Sequence, residues 1–229
     1  MNRMVTTGIV LSRINYKEAD RIITVITPEF GKLKLMARGV RKIKSKLAGG
    51  IELFSVSSLT FVRGRGEIDT LVSAQLQSHY GNIVSEYSRT MVGYDCIKII
   101  NKTTHDDCDE DYYQLLLHLL ISLNDLSINF VLTKCWFMVC LLNLLGHTPN
   151  MQTDTSGNKL KVNEDYNFDS QEMTFYLQTG GRFDARHIKT LRLMLKNDPL
   201  KLQVIDGLEY TLPSLDMLLT DSLKQYQIQ

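Results

Sequence analysis

The sequence has little cysteine, and the four it carries fall in no pattern. Cys96, Cys108, Cys135 and Cys140 show none of the paired spacings that hold a metal. Cys135 and Cys140 lie inside an apolar helical run, where a free thiol behaves as a small hydrophobe. Disulfides are not expected in a chain of this size without a secretory signal. Met1-Asn2-Arg3 leads directly into a strand pattern, so a cytoplasmic protein is expected. Long hydrophobic runs are also missing. The longest, Ile128 to Leu145, approaches a membrane span but contains Asn129, Lys134 and Asn143, and it reads as a central core helix. Catalytic signatures are absent too. His79, His105, His118, His147 and His187 sit in unrelated contexts, with no His-Glu-x-x-His and no Gly-x-Ser-x-Gly elbow. His105-Asp106-Asp107 has no second carboxylate cluster to complete a metal-dependent nuclease site. An enzyme is therefore not expected.

One further absence points somewhere. Between Phe30 and Ile51 there is no acidic residue, while Lys32, Lys34, Arg38, Arg41, Lys42, Lys44 and Lys46 supply seven bases. The whole chain carries a net charge of only +1, so this is a local concentration. Residues 1–81 hold 13 Lys+Arg against 6 Asp+Glu, a balance of +7, and residues 82–229 hold 13 against 19, a balance of −6. A basic front and an acidic back suggest two modules with different partners. In Lys32-Leu33-Lys34-Leu35-Met36 the alternation of a strand places both lysines on one face and the apolar residues on the other. The remaining bases occupy a Gly-flanked loop, Arg38 to Gly50. Such a segment suits a phosphate-backbone binder, although a loop kept basic for solubility has the same composition.

The first 80 residues read as five strands: Thr6 to Ile14, Arg21 to Thr27, Lys32 to Ala37, Leu53 to Val62 and Ile68 to Leu76. Pro28-Glu29-Phe30-Gly31 and Arg63-Gly64-Arg65-Gly66 are turns between them. The second turn lacks the Gly-Lys-Ser/Thr ending of a nucleotide loop, but Arg63 and Arg65 can flank a nucleic-acid groove. Five short strands with regular turns predict a small sandwich or barrel. From Asn82 onward the period becomes helical: Ile83 to Asn101, Tyr112 to Leu123, Phe130 to Leu145, Asp184 to Asn197 and Pro213 to Gln225. The acids Asp106, Asp107, Asp109, Glu110 and Asp111 suit a helix start. Gln152 to Asn158 reads as a polar loop, and Lys159 to Leu177 as short strand-like pieces. On the Asp184–Asn197 helix, Arg186, Lys189, Arg192 and Lys196 form one stripe, opposite Ile188, Leu191 and Leu195. That stripe is either a solvated face or a second binding surface.

Several spaced blocks resemble one family. Gly8-Ile9-Val10-Leu11, Tyr16-Lys17-Glu18-Ala19-Asp20-Arg21-Ile22, Thr27-Pro28-Glu29-Phe30-Gly31-Lys32, Ala37-Arg38-Gly39-Val40-Arg41-Lys42 and Lys44-Ser45-Lys46-Leu47 are similar, in order, to the bacterial recombination mediator family RecO. Looser similarity continues through Leu53-Phe54, the Arg63–Gly66 turn and Leu144-Leu145-Gly146-His147-Thr148-Pro149. The resemblance implies an α+β chain: a five-stranded OB-fold barrel over residues 1–80, then a helical domain over 81–229 with a small insertion at about 150–183. It implies a non-enzymatic DNA repair protein that binds single- and double-stranded DNA, anneals complementary strands and works with RecR. It also implies indirect help to RecA on strands coated by single-strand-binding protein (SSB), whose acidic, hydrophobic C-terminal tail the helical domain binds. The action would then be cytoplasmic and nucleoid-associated, with no membrane partner.

On this expectation Lys32, Lys34, Arg38, Arg41, Lys42, Lys44 and Lys46, with Arg63 and Arg65, track phosphates. The stripe Arg186, Lys189, Arg192 and Lys196 is a second DNA contact or a seat for the SSB tail, and Phe30, Phe54 and Phe61 are candidates for base stacking or, equally, for filling the barrel core. The family's four-cysteine zinc site is not reproduced. Thr153 and Ser156 stand at its first pair of positions, Asp184 and His187 at its second, and neutral hydroxyls are poor zinc ligands. No cofactor is expected, and a metal-free subdomain held by Tyr166, Phe168, Phe175, Tyr176 and Phe183 is. Charge alone leaves two other classes open, an RNA-binding OB-fold protein and a protein adaptor with no DNA role.

Overall fold

A computed structural model describes residues 3–226. Strands β1 (Arg3–Tyr16), β2 (Asp20–Thr27), β3 (Gly31–Ala37), β4 (Ser55–Val62) and β5 (Ile68–His79) form a closed barrel in the order β1-β2-β3-β5-β4. All neighbours are antiparallel except β3 and β5, which run parallel with Lys34 opposite Ile68. This is the OB-fold arrangement, in which the long β1 pairs with both β2 and β4 and the β3–β5 pairing closes the barrel. The alternation expected for β3 is present: Leu33, Leu35 and Ala37 point into the barrel, while Lys32 and Lys34 point out. Val10, Ile23, Val25, Leu59, Phe61 and Leu71 fill the same interior. Bulges in β1 and β5 let two strands serve both halves of a barrel this small.

The chain divides into two compact units, one up to Asn124 and one from Asp125 onward. The barrel ends at His79, and its unit continues through α1 (Tyr87–Thr103) and α2 (Glu110–Asn124). Both helices pack on the barrel, α1 against β1 and α2 against β2. Phe54 meets Tyr94 of α1 edge-on at 5.0 Å. Gly93 permits this approach, because a Cβ there would lie 2.7 Å from the Phe54 ring. Gly31 has the same role between β2 and β3. Its φ is +58°, and a Cβ would fall 2.3 Å from the Asp106 carbonyl oxygen. The Lys32 amide donates to that carbonyl at 3.0 Å.

In the second unit α3 (Phe130–Leu144) is buried around most of its circumference, as its nearly uniform apolar sequence requires. Asn129 caps it, accepting from the Val131 amide at 2.8 Å. Strands β6 (Asn150–Asp154), β7 (Tyr166–Asp169) and β8 (Thr174–Leu177) form a sheet in the order β6-β8-β7. Helices α4 (Ala185–Met194), α5 (Pro199–Leu202) and α6 (Leu208–Tyr226) follow. Three expectations are corrected here. β6 lies partly in the stretch read as a polar loop, because pairing with β8 and Asn150 side-chain bonds order polar residues that carry no apolar alternation. α4 ends at Met194, not Asn197, which places Lys196 beyond the helix. α6 begins five residues before Pro213, after a turn at Gly207 with φ +82°, and runs through the proline.

Candidate nucleic-acid interface

Cross-strand partners share a face, so the barrel register places the basic residues directly. Lys34 pairs with Thr24 of β2, which in turn pairs with Ser12 of β1, and Lys34 is exposed on this outer face. Arg38 follows the end of β3, and Arg41, Lys42, Lys44 and Lys46 continue through an exposed loop. The loop is fixed at the β1–β2 hairpin. The Arg41 amide donates to the Ala19 carbonyl at 2.9 Å, and Arg41 Nη1 donates to the Lys17 carbonyl at 3.3 Å. Asp20 is engaged here as well, its Oδ1 accepting the Gly39 amide at 2.7 Å. Among the described residues, none of Lys34, Arg38, Lys42, Lys44, Lys46 or Arg65 makes an ion pair, so their field is not cancelled locally.

Lys32 leaves this group. Its Nζ donates to the carbonyls of Asn101, at 3.1 Å, and Thr104, at the C-terminal end of α1. Burial holds its pKa below the usual lysine value, opposed by the charges of Asp106 and Cys108. It acts as a cation on a helix C-terminus.

Arg63 and Arg65 lie at the other end of the barrel, because the β4–β5 turn precedes the start of β5 and β5 runs parallel to β3. Arg63 contacts Asp69 at 3.5 Å and sits 5.7 Å from the ring centroids of both Phe30 and Phe61, so it anchors the turn. Arg65 is exposed at the tip. The outer face thus has bases at both ends and Lys34 between them.

Of the two roles open to the phenylalanines, stacking and core filling, the structure gives them the second. Phe54 and Phe61 are buried and Phe30 is half-buried, edge-on to Phe61 at 5.5 Å. They pack the protein. The exposed aromatic of this face is Tyr16 at the end of β1, beside Lys17. Plain alternation counted from the buried Val10 would turn Tyr16 inward; the bulge between Val10 and Ser12 reverses the faces and brings Ile14 and Tyr16 outside.

In the second unit the basic stripe divides. Arg186 is bonded to Asp184 Oδ2 at 2.6 Å and lies 4.0 Å from the Tyr210 ring, which joins α4 to α6. Arg192 donates to the Met151 carbonyl and joins α4 to β6. Lys189 and Lys196 are exposed. A cleft of about 400 Å³ lies beside Lys196, lined also by Pro149, Met151, Arg192 and Leu195.

The residues at the zinc-cysteine positions do not fit that metal. Thr153 Oγ1 accepts from Asn150 Nδ2, and the Ser156 amide donates to Asp154 in a turn. Asp184 and His187 form a capping box at the start of α4, with Asp184 Oδ1 2.8 Å from His187 Nδ1. Tyr166, Phe175, Phe183 and His187 are buried, and Phe175, Phe183, His187 and Tyr210 form a chain of ring contacts. Phe168 joins it at Phe175, 4.9 Å away, while Tyr176 is 37% exposed. Among the described residues no group of three or more His, Cys, Asp or Glu side chains can hold a metal. Burial pushes the Cys140 thiol up to about 12 and raises Cys135 further, so neither is a thiolate nucleophile near neutral pH.

A family model described as "Recombination protein O N terminal" matches residues 1–80, the span of the barrel. The chain is 30% identical over 201 residues to a protein named "DNA repair protein RecO" from Dehalococcoides mccartyi, covering 84% of this chain and 78% of that one. The chain belongs to the RecO family. Proteins of the same name from Syntrophomonas wolfei and Listeria monocytogenes are also 30% identical, over 143 and 145 residues. Each of those two matches spans 56% of the relative's length. RecO membership places the chain among DNA repair and recombination proteins. Among the described residues no helix is long and apolar enough to cross a membrane.

Proposed function

We propose that this protein is a recombination mediator that binds single- and double-stranded DNA through the outer face of its OB barrel and anneals complementary strands. The observation that carries the reading is the exposed, unpaired basic set Lys34, Arg38, Lys42, Lys44 and Lys46 on the barrel of a RecO-family chain. Arg41 contributes its charge while tying the loop to the hairpin, and Arg65 extends the path to the far end. Neutralising phosphates releases counterions, so binding is strong at low salt and weakens steeply as salt rises. Annealing follows when one surface screens the repulsion between two strands and leaves their bases accessible.

The protein acts without catalysis, in the cytoplasm at the nucleoid, with RecR, and helps RecA indirectly on SSB-coated strands. The SSB tail, acidic and apolar, suits the cleft beside Lys196, where Pro149, Met151 and Leu195 supply apolar lining and Arg192 and Lys196 supply charge. Double replacement Lys34→Ala with Arg38→Ala tests the DNA surface: affinity falls and the log–log salt slope drops by roughly 1.4, about 0.7 per contact on a single strand. Unchanged affinity and slope would reject it. RNA displacing DNA of equal length at much lower concentration would favour an RNA-binding role. Negligible binding at physiological salt would favour a protein adaptor. Chemical-shift mapping with a C-terminal SSB peptide tests the cleft.

A further inference from the structure

The barrel face that carries Lys34 has one closed end and one open end. At the closed end the backbone of Asp106 and Cys108 lies against Gly31, and Lys32 is bonded to α1. Toward the β1–β2 hairpin the register lays out further rows on the same face: Ile14, Ile22 and Met36, then Tyr16 beside Asp20. Ile22 and Met36 are half-buried, but Ile14 is 61% exposed and Tyr16 is 41% exposed. An apolar row ending in an aromatic ring therefore lies open to water within a strongly basic surround. Lys34 lies in the row before it, Arg38 follows the strand that carries Met36, and Lys17 Nζ is 5.4 Å from the Tyr16 ring centroid. The two Arg41 bonds bring the loop of Lys42, Lys44 and Lys46 to the same hairpin. Of the nearby acids, Asp20 is bonded to Gly39, while Glu18 is exposed at the hairpin tip.

Cations and exposed apolar surface recognise different parts of one ligand. Phosphates meet the bases of the protein, and the flat faces of nucleobases meet rings and aliphatic side chains. Single-stranded nucleic acid presents both along one chain, phosphates at every step and unpaired planar bases between them. We propose that Tyr16 stacks on a nucleobase of single-stranded nucleic acid, over a floor made by Ile14, Ile22 and Met36. Lys34, Arg38 and the loop lysines hold the flanking phosphates. This rests on the DNA-binding reading above and adds to it the residue that contacts bases. Stacking is tolerant of sequence, since every base has a π face, so the site grips any single strand at one base and leaves the neighbouring bases free.

The ring carries no charge, which separates its contribution from that of the lysines. The unaltered chain, Tyr16→Ala, Tyr16→Phe and Lys42→Ala are titrated with labelled oligothymidylate across a salt series. Tyr16→Ala weakens binding about tenfold at every salt concentration and leaves the slope unchanged, and Tyr16→Phe restores affinity. Lys42→Ala lowers the slope by roughly 0.7. Photocrosslinking of the unaltered chain to an oligonucleotide carrying iodouracil yields an adduct on the peptide that contains Tyr16, a result independent of how any variant folds. Tyr16→Ala binding as tightly as the unaltered chain, with no adduct at Tyr16, overturns the stacking assignment and leaves the phosphate surface standing. An unaltered chain that binds no oligonucleotide at about 50 mM salt overturns the DNA reading itself.

Discussion

Lys32 Nζ donates to the Asn101 carbonyl at 3.1 Å, so the first lysine of the basic run serves a helix end. The last carbonyls of a helix lack intrahelical partners and carry the negative end of its dipole, and an ammonium group satisfies both demands. Lys34, two residues on and on the same outer face, is exposed. One strand face thus holds a lysine that secures α1 to the barrel and a lysine open to a ligand.

The two lysines should separate in experiment. Lys32→Ala leaves two carbonyls at the α1 terminus without their charged donor and destabilises the protein by about 2 kcal/mol, read as a lower urea midpoint. Its effect on the salt slope of DNA binding is small. Lys34→Ala leaves the midpoint where it was and lowers the slope by roughly 0.7. The opposite pattern would mean that the α1 contact does not form in solution.

Gly31→Ala probes the same junction through the backbone. The residue has φ +58°, and its Cβ would meet a backbone oxygen, which cannot rotate away as a side chain can. Left-handed strain alone costs about 1–2 kcal/mol, and displacing the Asp106 segment adds to it. We expect a loss of more than about 2 kcal/mol in urea unfolding with an unchanged m-value. A near-neutral result would show that the Asp106–Cys108 segment yields easily.

The barrel was legible because its signal is local. Alternation in β3, turns at Pro28–Gly31 and Arg63–Gly66, and β-branched runs each specify their own stretch, and the five strands appear within a few residues of the expected ends. What was not legible depends on contacts between distant residues. Nothing near Lys32 in sequence announces the carbonyls of Asn101 and Thr104, some seventy residues away. The stripe Arg186, Lys189, Arg192 and Lys196 was countable by spacing, yet Arg192 turns to Met151 and Arg186 to Tyr210. β6 was missed because Asn150 to Asp154 owes its extension to β8 and not to its own composition.

Phe61 is fully buried in the barrel beside Leu59 and Leu71, although an aromatic on a nucleic-acid barrel invites a stacking role. Phe61→Ala should cost about 3–5 kcal/mol through the cavity it leaves. Any loss of DNA affinity should follow the loss of folded protein and disappear when binding is normalised to the folded fraction. Tyr16→Ala, at an exposed position, should leave the thermal midpoint unmoved.

Asp184 gives the helical unit a specific acid sensitivity. Burial alone would raise its carboxyl, but bonds from Arg186 and His187 outweigh this and hold it at about 2, below the ordinary 3.8. The folded state therefore binds this proton more weakly than the unfolded state, and the stabilisation is complete above about 3.8 and lost as pH falls through about 2. Its size is at most about 2 kcal/mol, because the carboxylate is partly open to screening. Asp184→Asn keeps a competent helix cap but removes the titration. In urea unfolding between about pH 5 and pH 2 the stability advantage of the unaltered chain over Asp184→Asn should be constant at first, then shrink below about 3.8. Other carboxylates titrate in both proteins and cancel in that difference. An advantage that stays flat down to pH 2 would show that the Arg186 and His187 bonds to Asp184 are not maintained in solution, and that α4 is held by its buried side chains and ring contacts without them.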